Sequence, residues 1–232
     1  MKKFGIFGWP IGHSLSPSIH NCAFEEAGLD WVYGLLPTKP EDLKQAIADF
    51  RAQGFAGANI TVPHKETVIA YLDAVTPMAQ KIGAVNTLFW EGDKLTGDNT
   101  DAEGFLADLS DKGVVLKGKS ALILGAGGSA KAIKYALEQA GALVDTWIRT
   151  SGSSPIPQDL TVNCTPGLDA DLLERVNFQP GQVFYDLVYV PETTPLMQRA
   201  LASGAKAFNG KGMLLKQAAL SFEIWKRFLL KQ

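Results

Sequence analysis

Up to Gly97 the chain alternates two kinds of segment. Short continuous apolar runs, Phe4 to Phe7, Trp31 to Leu35 and Ala58 to Val62, read as buried strands. Between them, apolar residues recur at helical spacing. Pro17 to Ala27 predicts a helix ended by Gly28. Pro40 to Gln53 predicts another, with Leu43, Ile47 and Phe50 on one face and Gly54 as its stop. Lys65 to Leu72 predicts a third. Val85 to Trp90 and Lys94 to Thr96 flank Gly92-Asp93 and predict a hairpin. Strands separated by helices place this half in the α/β class. Thr100 is placed to cap a helix running through Leu109, with Asp101 in its first turn.

Beyond that helix the pattern changes. Ser120 to Leu124 is a buried strand, Gly125-Ala126-Gly127-Gly128-Ser129-Ala130 a glycine turn, and a helix follows to about Gln139. Gly141 ends it, and Leu143 to Ile148 is a second strand. This βαβ unit is the opening of a dinucleotide-binding fold. The next apolar strand is Thr161 to Cys164. Only Thr150 to Leu160 lie between, rich in proline and serine. A parallel crossover takes about a dozen residues or more, usually with a helix. The pattern therefore predicts a Rossmann-like domain that lacks a strand and helix after residue 149. Met213 to Leu230 predicts a long amphipathic helix through Leu214, Gln217, Ala218, Phe222 and Trp225. Its spacing gives Phe222, Trp225, Phe228 and Leu229 an apolar face for a core, with an interface as the alternative.

Composition narrows the class. The 232 residues are 46% hydrophobic and 20% charged, with a net charge of −2. That suits a globular protein and offers no electrostatic footprint for nucleic acid or an anionic membrane. No apolar run approaches the length of about 18 residues that a membrane span needs. Two distant cysteines, Cys22 and Cys164, form no disulfide framework and fit a reducing cytoplasm.

A glycine turn between strand and helix lets backbone amides approach a phosphate, and the helix N-terminus adds partial positive charge. At the end of the second strand, NAD sites carry a carboxylate. This chain has Arg149 followed by Thr150 there, which suits a 2′-phosphate and favours NADP, with NAD as the alternative.

Four polar clusters stand out in the first half. His13-Ser14-Leu15-Ser16-Pro17 puts two hydroxyls before a helix where one cap would suffice, leaving one for an anion such as a carboxylate. In Asn59-Ile60-Thr61-Val62-Pro63-His64-Lys65, alternation puts Asn59 and Thr61 on one face, and Pro63 leaves Lys65 near the strand end. Gly83-Ala84-Val85-Asn86-Thr87 adds an amide and a hydroxyl. Gly97-Asp98-Asn99-Thr100-Asp101 adds carboxylates, of which Asp98 reads as loop chemistry. Hydroxyls, amides, one ammonium and one carboxylate suit a small polyhydroxylated acid. Beside a nicotinamide site they suggest alcohol–ketone interconversion. His13, His20 and His64 form no metal-ligand spacing, so no catalytic metal is expected.

With these motifs in order, the chain resembles the shikimate dehydrogenases over nearly its whole length. Further matching segments are His20-Asn21, Asn163-Cys164-Thr165-Pro166, Asp186-Leu187-Val188-Tyr189, Thr194-Pro195-Leu196, Asn209-Gly210, Gly212 to Leu215 and Gln217-Ala218. The resemblance implies reversible NADPH-dependent reduction of 3-dehydroshikimate to shikimate, in aromatic amino-acid biosynthesis. It implies that Ser14 and Ser16 hold the substrate carboxylate and that Lys65 and Asp101 form the catalytic pair. Asn59, Thr61, Asn86, Tyr189 and Gln217 complete the substrate set. Gly125, Ala126, Gly127, Gly128 and Ser129 would cradle the cofactor phosphates, Arg149 and Thr150 the 2′-phosphate, and Leu187 and Gly210 would lie near the nicotinamide. It also implies an α/β substrate domain over 1–101, with helix 211–232 packing back on it, and an NADP-binding domain over 102–210. A monomer or homodimer acting on a small molecule is expected. The family often has Asn-Arg-Thr and then a further basic residue at the 2′-phosphate. Here Ile148 replaces the asparagine, and Ser153 or Ser154 stands where the basic group would be. The competing expectations are a quinate/shikimate dehydrogenase that prefers NAD, and a shikimate-binding protein without redox activity.

Overall fold

A computed structural model describes residues 1–151, 156–166 and 174–230. The chain forms two compact units, Met1–Thr100 with Gln217–Gln232, and Asp101–Lys216.

The first unit carries strands β1 (Lys2–Gly8), β2 (Trp31–Pro37), β3 (Gly57–Ile60), β4 (Ala74–Val75), β5 (Thr87–Glu91) and β6 (Lys94–Asp98). Its helices are α1 (Ser16–Glu26), α2 (Leu43–Ala52) and α3 (Pro77–Ile82). The sheet order is β2-β1-β3-β5-β6-β4. β1 pairs in parallel with β2 and β3, and the β5–β6 hairpin continues antiparallel from β3. Strand alternation splits the apolar residues between two cores. Phe7 and Ile60 join Leu43, Ile47 and Phe50 of α2 in one core. Phe4 and Ile6 join Phe24 of α1, Tyr33 and Trp225 in the other. β3 is buried along its whole length, as a central strand covered on both faces must be.

Trp225 is the anchor of the second core. It is 0% exposed, and its indole N–H donates to the Leu88 carbonyl at 2.9 Å. It fits because β3 begins with Gly57: a Cβ there would lie 2.5 Å from the indole nitrogen. Phe222, Phe228 and Leu229 pack partly buried against the same core, as their helical spacing predicts.

The second unit contains α4 (Asp101–Asp111), β7 (Ser120–Leu124), α5 (Gly128–Gln139), β8 (Leu143–Trp147), β9 (Leu160–Asn163), β10 (Val183–Asp186), α6 (Pro195–Ala202) and β11 (Lys206–Asn209). The last helix, α7 (Lys211–Leu229), begins in this unit and contributes its later turns to the first. The sheet is wholly parallel in the order β11-β10-β9-β7-β8. Among the described residues no strand pairs with the outer side of β8, and Leu143 at its start is 73% exposed. The α/β class and the Rossmann-like second half agree with the sequence pattern.

Local differences have physical causes. Pro40 to Gln53 is not one helix; a 3-10 turn, Pro40–Asp42, precedes α2. Lys65 to Leu72 forms a 3-10 turn over Thr67–Tyr71. β3 stops at Ile60, although the Thr61 amide still donates to Phe7 at 2.8 Å before Pro63 turns the chain. α3 has no counterpart in the periodic pattern, yet its ends carry ordinary signals: the Thr76 hydroxyl accepts from the Ala79 amide, Pro77 follows, and Gly83 closes it at φ +72°. Among the described residues no helix is long and apolar enough to cross a membrane.

Candidate active site

The polar motifs of the first unit converge on a buried chain of amides and hydroxyls. Its polarity can be read from groups that have only one hydrogen-bonding role. The Thr100 backbone N–H, a donor only, reaches Asn86 Oδ1 at 2.8 Å. Asn86 Oδ1 must therefore be the oxygen, and it also accepts from the Thr87 hydroxyl at 2.9 Å. Asn86 Nδ2 then donates to Thr100 Oγ1 at 2.9 Å and to Gln217 Oε1 at 3.2 Å. Gln217 therefore presents its oxygen to Asn86.

Asn59, 4% exposed, extends the same chain. Its Nδ2 donates to the Asn86 carbonyl at 3.1 Å and lies 3.0 Å from Ser221 Oγ and 3.3 Å from Thr87 Oγ1. Its Oδ1 accepts from the Tyr33 hydroxyl at 2.8 Å. Both ends of this amide are thus engaged by protein. Ser221 also bonds Thr87 at 2.8 Å and the Gln217 carbonyl at 3.0 Å. Gln217, Ser221 and Trp225 follow at i, i+4, i+8, so one face of α7 delivers all three.

Lys65 is half-buried, and its carbonyl accepts from the Val85 amide at 2.8 Å, which sets it beside Asn86. The turn before it is pinned by His64, fully buried, whose Nε2 donates to the Thr38 carbonyl at 2.7 Å. Thr61 is half-buried at the end of β3. Ser14 Oγ accepts from the Ser16 amide at 3.3 Å, and Ser16 is buried as the first residue of α1. Asp98 does the loop chemistry expected of it: it accepts from Thr76 Oγ1 at 2.5 Å and from the Asn99 amide at 2.8 Å. Thr100 joins the buried chain, a role beyond the helix cap read from the sequence.

His20 lies under this cluster, 1% exposed, with its ring stacked on Tyr33 at 4.5 Å and, among the described residues, no hydrogen-bond partner for Nε2. Burial pushes its pKa down to about 4, with the Asn59 side chain opposing. The unfolded chain therefore binds the proton first as pH falls. His20 leaves stability intact above its unfolded value near 6.5 and withdraws it progressively as pH drops toward 4. The expected loss is about 3 kcal/mol over that window. Thermal unfolding across this range should show it, and His20→Phe should flatten the slope; an unchanged slope in the variant would assign the acid lability elsewhere.

In the second unit, Asp101 is buried as the first residue of α4. The turn between β7 and α5 has Gly125 at φ +113°, a conformation that favours glycine. Gly127 is extended, and among the described residues, its chain neighbours aside, no atom lies within 4 Å of where a Cβ would sit. The turn thus leaves open space at the N-terminus of a twelve-residue helix, where unpaired amides favour phosphate. Thr150 is exposed. The Arg149 side chain, Ser153 and Ser154 lie outside the described residues.

A second buried cluster shapes the loop after β10. Asp186 accepts from Asn163 Nδ2 at 3.0 Å, from Thr194 Oγ1 at 2.7 Å and from the Val188 amide at 3.1 Å. Burial raises its pKa. It holds the segment that carries Leu187 and the half-buried Tyr189. Gly210 closes on the same segment: its N–H donates to the Val188 carbonyl at 3.3 Å, and a Cβ on it would lie 2.2 Å from the Leu187 carbonyl oxygen. Leu187 and Gly210, expected together, are in direct backbone contact. The sequence pattern did not single out Tyr33, Ser221 or the buried role of Asp186. The signal for Ser221 is a second polar residue, one turn after Gln217, on the buried face of an amphipathic helix.

The shikimate dehydrogenase substrate binding domain family matches residues 6–88. A shikimate dehydrogenase (NADP+) of Geobacter metallireducens is 40% identical over 264 aligned positions, spanning 97% of this chain and 91% of the relative. Those 264 positions exceed the 232 residues here, so the relative carries residues within the shared stretch that this chain lacks. The crystal structure of shikimate dehydrogenase from Aquifex aeolicus matches with a TM-score of 0.90 at 37% identity, covering 98% of this chain and 93% of that one. That of shikimate 5-dehydrogenase from Thermus thermophilus, in complex with NADP(H) and shikimate, matches with a TM-score of 0.86 at 38% identity, covering 98% and 94%.

Proposed function

The chain belongs to the shikimate dehydrogenase family, and from that premise we infer that it reduces 3-dehydroshikimate to shikimate reversibly with NADPH. The observation that supports the reading is the buried polar cluster in which Asn86 meets Gln217 at 3.2 Å and the Thr100 amide at 2.8 Å, which gathers the amides assigned to a hydroxylated acid. The open glycine turn at the head of α5 fits the cofactor's pyrophosphate through the backbone of Gly125 to Ser129. Bound there, NADPH supplies the hydride.

The chain's own residues do the rest. Ser14 and Ser16 bind the substrate carboxylate. Thr61, Asn86, Gln217 and Tyr189 orient the ring hydroxyls, and Asn59 acts by holding Asn86. Lys65 is the acid/base: in reduction it gives a proton to the carbonyl oxygen as that oxygen becomes the shikimate hydroxyl, and in oxidation it takes the proton back. Asp101 is the carboxylate of the catalytic pair. Leu187 and Gly210 form the apolar side of the nicotinamide site. Among the described residues neither Cys22 nor Cys164 is in a disulfide, which fits a reducing cytoplasm as the place of reaction. Incubation of the purified protein with 3-dehydroshikimate and NADPH should yield shikimate in step with NADPH consumed. Consumption without shikimate, or none at all, would contradict the assignment.

The second domain, in this reading, lacks the strand and helix after residue 149. The position of β8 at the sheet edge among the described residues supports that, and the longer stretch of the relative is in keeping with it. NADP+ should still outperform NAD+, because Arg149 follows β8. The adenosine half alone should bind weakly, since one flank of its site is gone. In an inhibition assay 2′,5′-ADP should compete poorly with NADP+. Inhibition by 2′,5′-ADP at concentrations near the KM of NADP+ would show a complete adenosine pocket.

A further inference from the structure

β5 begins at Thr87, so Asn86 precedes the strand and its side chain is not bound by the alternation along it. The two neighbours can therefore share one cluster, and the Thr87 hydroxyl reaches Asn86 Oδ1 at 2.9 Å. Thr87 stands opposite Asn59 of β3 in the antiparallel register. Ser221 arrives from α7 and meets Thr87 at 2.8 Å. Asn59 Nδ2 lies 3.0 Å from Ser221 Oγ and 3.3 Å from Thr87 Oγ1. Thr87 and Ser221 are both 0% exposed, so neither hydroxyl has access to a ligand.

A count of protons gives the cluster its direction. Asn86 Oδ1 accepts from the Thr100 N–H at 2.8 Å and from the Thr87 hydroxyl. The Thr100 hydroxyl is nearer the Asn86 nitrogen, at 2.9 Å, than the oxygen, at 3.2 Å, and serves as that nitrogen's acceptor. Two donors from different residues thus fill the two lone pairs of Oδ1 and fix the plane of the amide. Thr87 has a single hydroxyl proton. Once that proton is spent on Asn86, the Thr87 oxygen can only accept from Ser221. Ser221 has a second acceptor in reach, the Gln217 carbonyl at 3.0 Å. If its proton went there, the short contact between Ser221 and Thr87 would need the threonine's proton, and Asn86 would lose a donor.

We propose that Thr87 and Ser221 are positioning residues for the substrate amides: Ser221 donates to Thr87, Thr87 donates to Asn86 Oδ1, and the amide so held turns Nδ2 to Gln217 and the ring hydroxyls. This rests on the placement of Asn86 and Gln217 at the ring hydroxyls made above. The relay gives the buried serine of α7 a function. The helix that delivers Gln217 also delivers, one turn later, the hydroxyl that steadies Gln217's partner. Neither residue touches the substrate, and both act through Asn86.

Steady-state kinetics on variants of the full chain test it. Thr87→Val removes the hydroxyl at nearly constant shape and should raise the KM for shikimate about fivefold, the size of one lost hydrogen bond. The kcat and the KM for NADP+ should change far less. Thr87→Ser keeps the donor and should restore most of the binding. Ser221→Ala should raise the KM for shikimate about two- to threefold. Added to Thr87→Val it should change almost nothing, because the relay is already broken. Thermal midpoints measured in parallel show which variants are folded at the assay temperature. Should the valine variant not be, Ser221→Ala carries the test alone, and a wild-type KM there would overturn the proposal. A wild-type KM in folded Thr87→Val, a Thr87→Ser as impaired as the valine variant, or an equal rise in the KM for NADP+ would make the cluster merely structural and overturn it too. A Gln217→Ala variant with wild-type KM for shikimate would instead overturn the placement of the substrate.

Discussion

Lys65→Ala should lower kcat for shikimate oxidation by about 10²–10⁴-fold, the range for loss of a positioned acid/base, while the thermal midpoint stays near wild type. The size follows from the single proton the reaction must move at the reacting oxygen. The stability follows from the local structure. The bond that places Lys65 uses its carbonyl, which accepts from Val85, and alanine retains that carbonyl. The side chain is half-buried and belongs to neither apolar core of its unit. Loss of substrate binding is the wrong signature here. The KM for shikimate should move far less than kcat, because Ser14, Ser16 and Gln217 remain. Turnover at the wild-type rate would remove Lys65 from the chemistry.

Gly210→Ala should damage both stability and the nicotinamide side of the site. A Cβ at 210 would lie 2.2 Å from the Leu187 carbonyl oxygen and 2.7 Å from its carbon, both backbone atoms. A flexible side chain could swing aside; this backbone cannot, since Asp186 and Thr194 hold the segment from its other side. Overpacking of this kind costs about 1–3 kcal/mol, occasionally more. In a chain of this size each kcal/mol lowers Tm by about 2–4 °C. Thermal unfolding should therefore show a loss of several degrees, and the KM for NADP+ should rise as Leu187 is displaced. An unchanged Tm would mean that the two segments separate freely.

The parts legible in the sequence are those whose cause is local. The turn Gly125 to Ala130 needs small residues for its backbone, and those residues are visible as such. The hairpin around Gly92-Asp93 and the apolar face of α7 are likewise written in neighbouring positions. Alternation along Asn59-Ile60 tells which face each side chain takes, and the structure puts Ile60 in one core and Asn59 on the opposite face. It cannot tell what meets Asn59 there. The partner, Ser221, is 162 residues away, and Gln217 is 131 residues from Asn86. Nothing in a local pattern encodes such a partner. Asn59 reads as a polar residue needing an explanation and Thr100 as a cap, but whether each faces ligand or protein depends on these distant contacts. The short elements escape for a different reason. α3 has six residues, too few for a periodic face, and only its caps could have announced it.

Shikimate oxidation by NADP+, measured beside quinate under the same conditions, tests the central claim most directly. Saturable turnover of shikimate with NADP+ is expected, with much poorer turnover of quinate, since Ser14 and Ser16 are both present. Shikimate that binds without turnover, or quinate preferred over it, would contradict the claim.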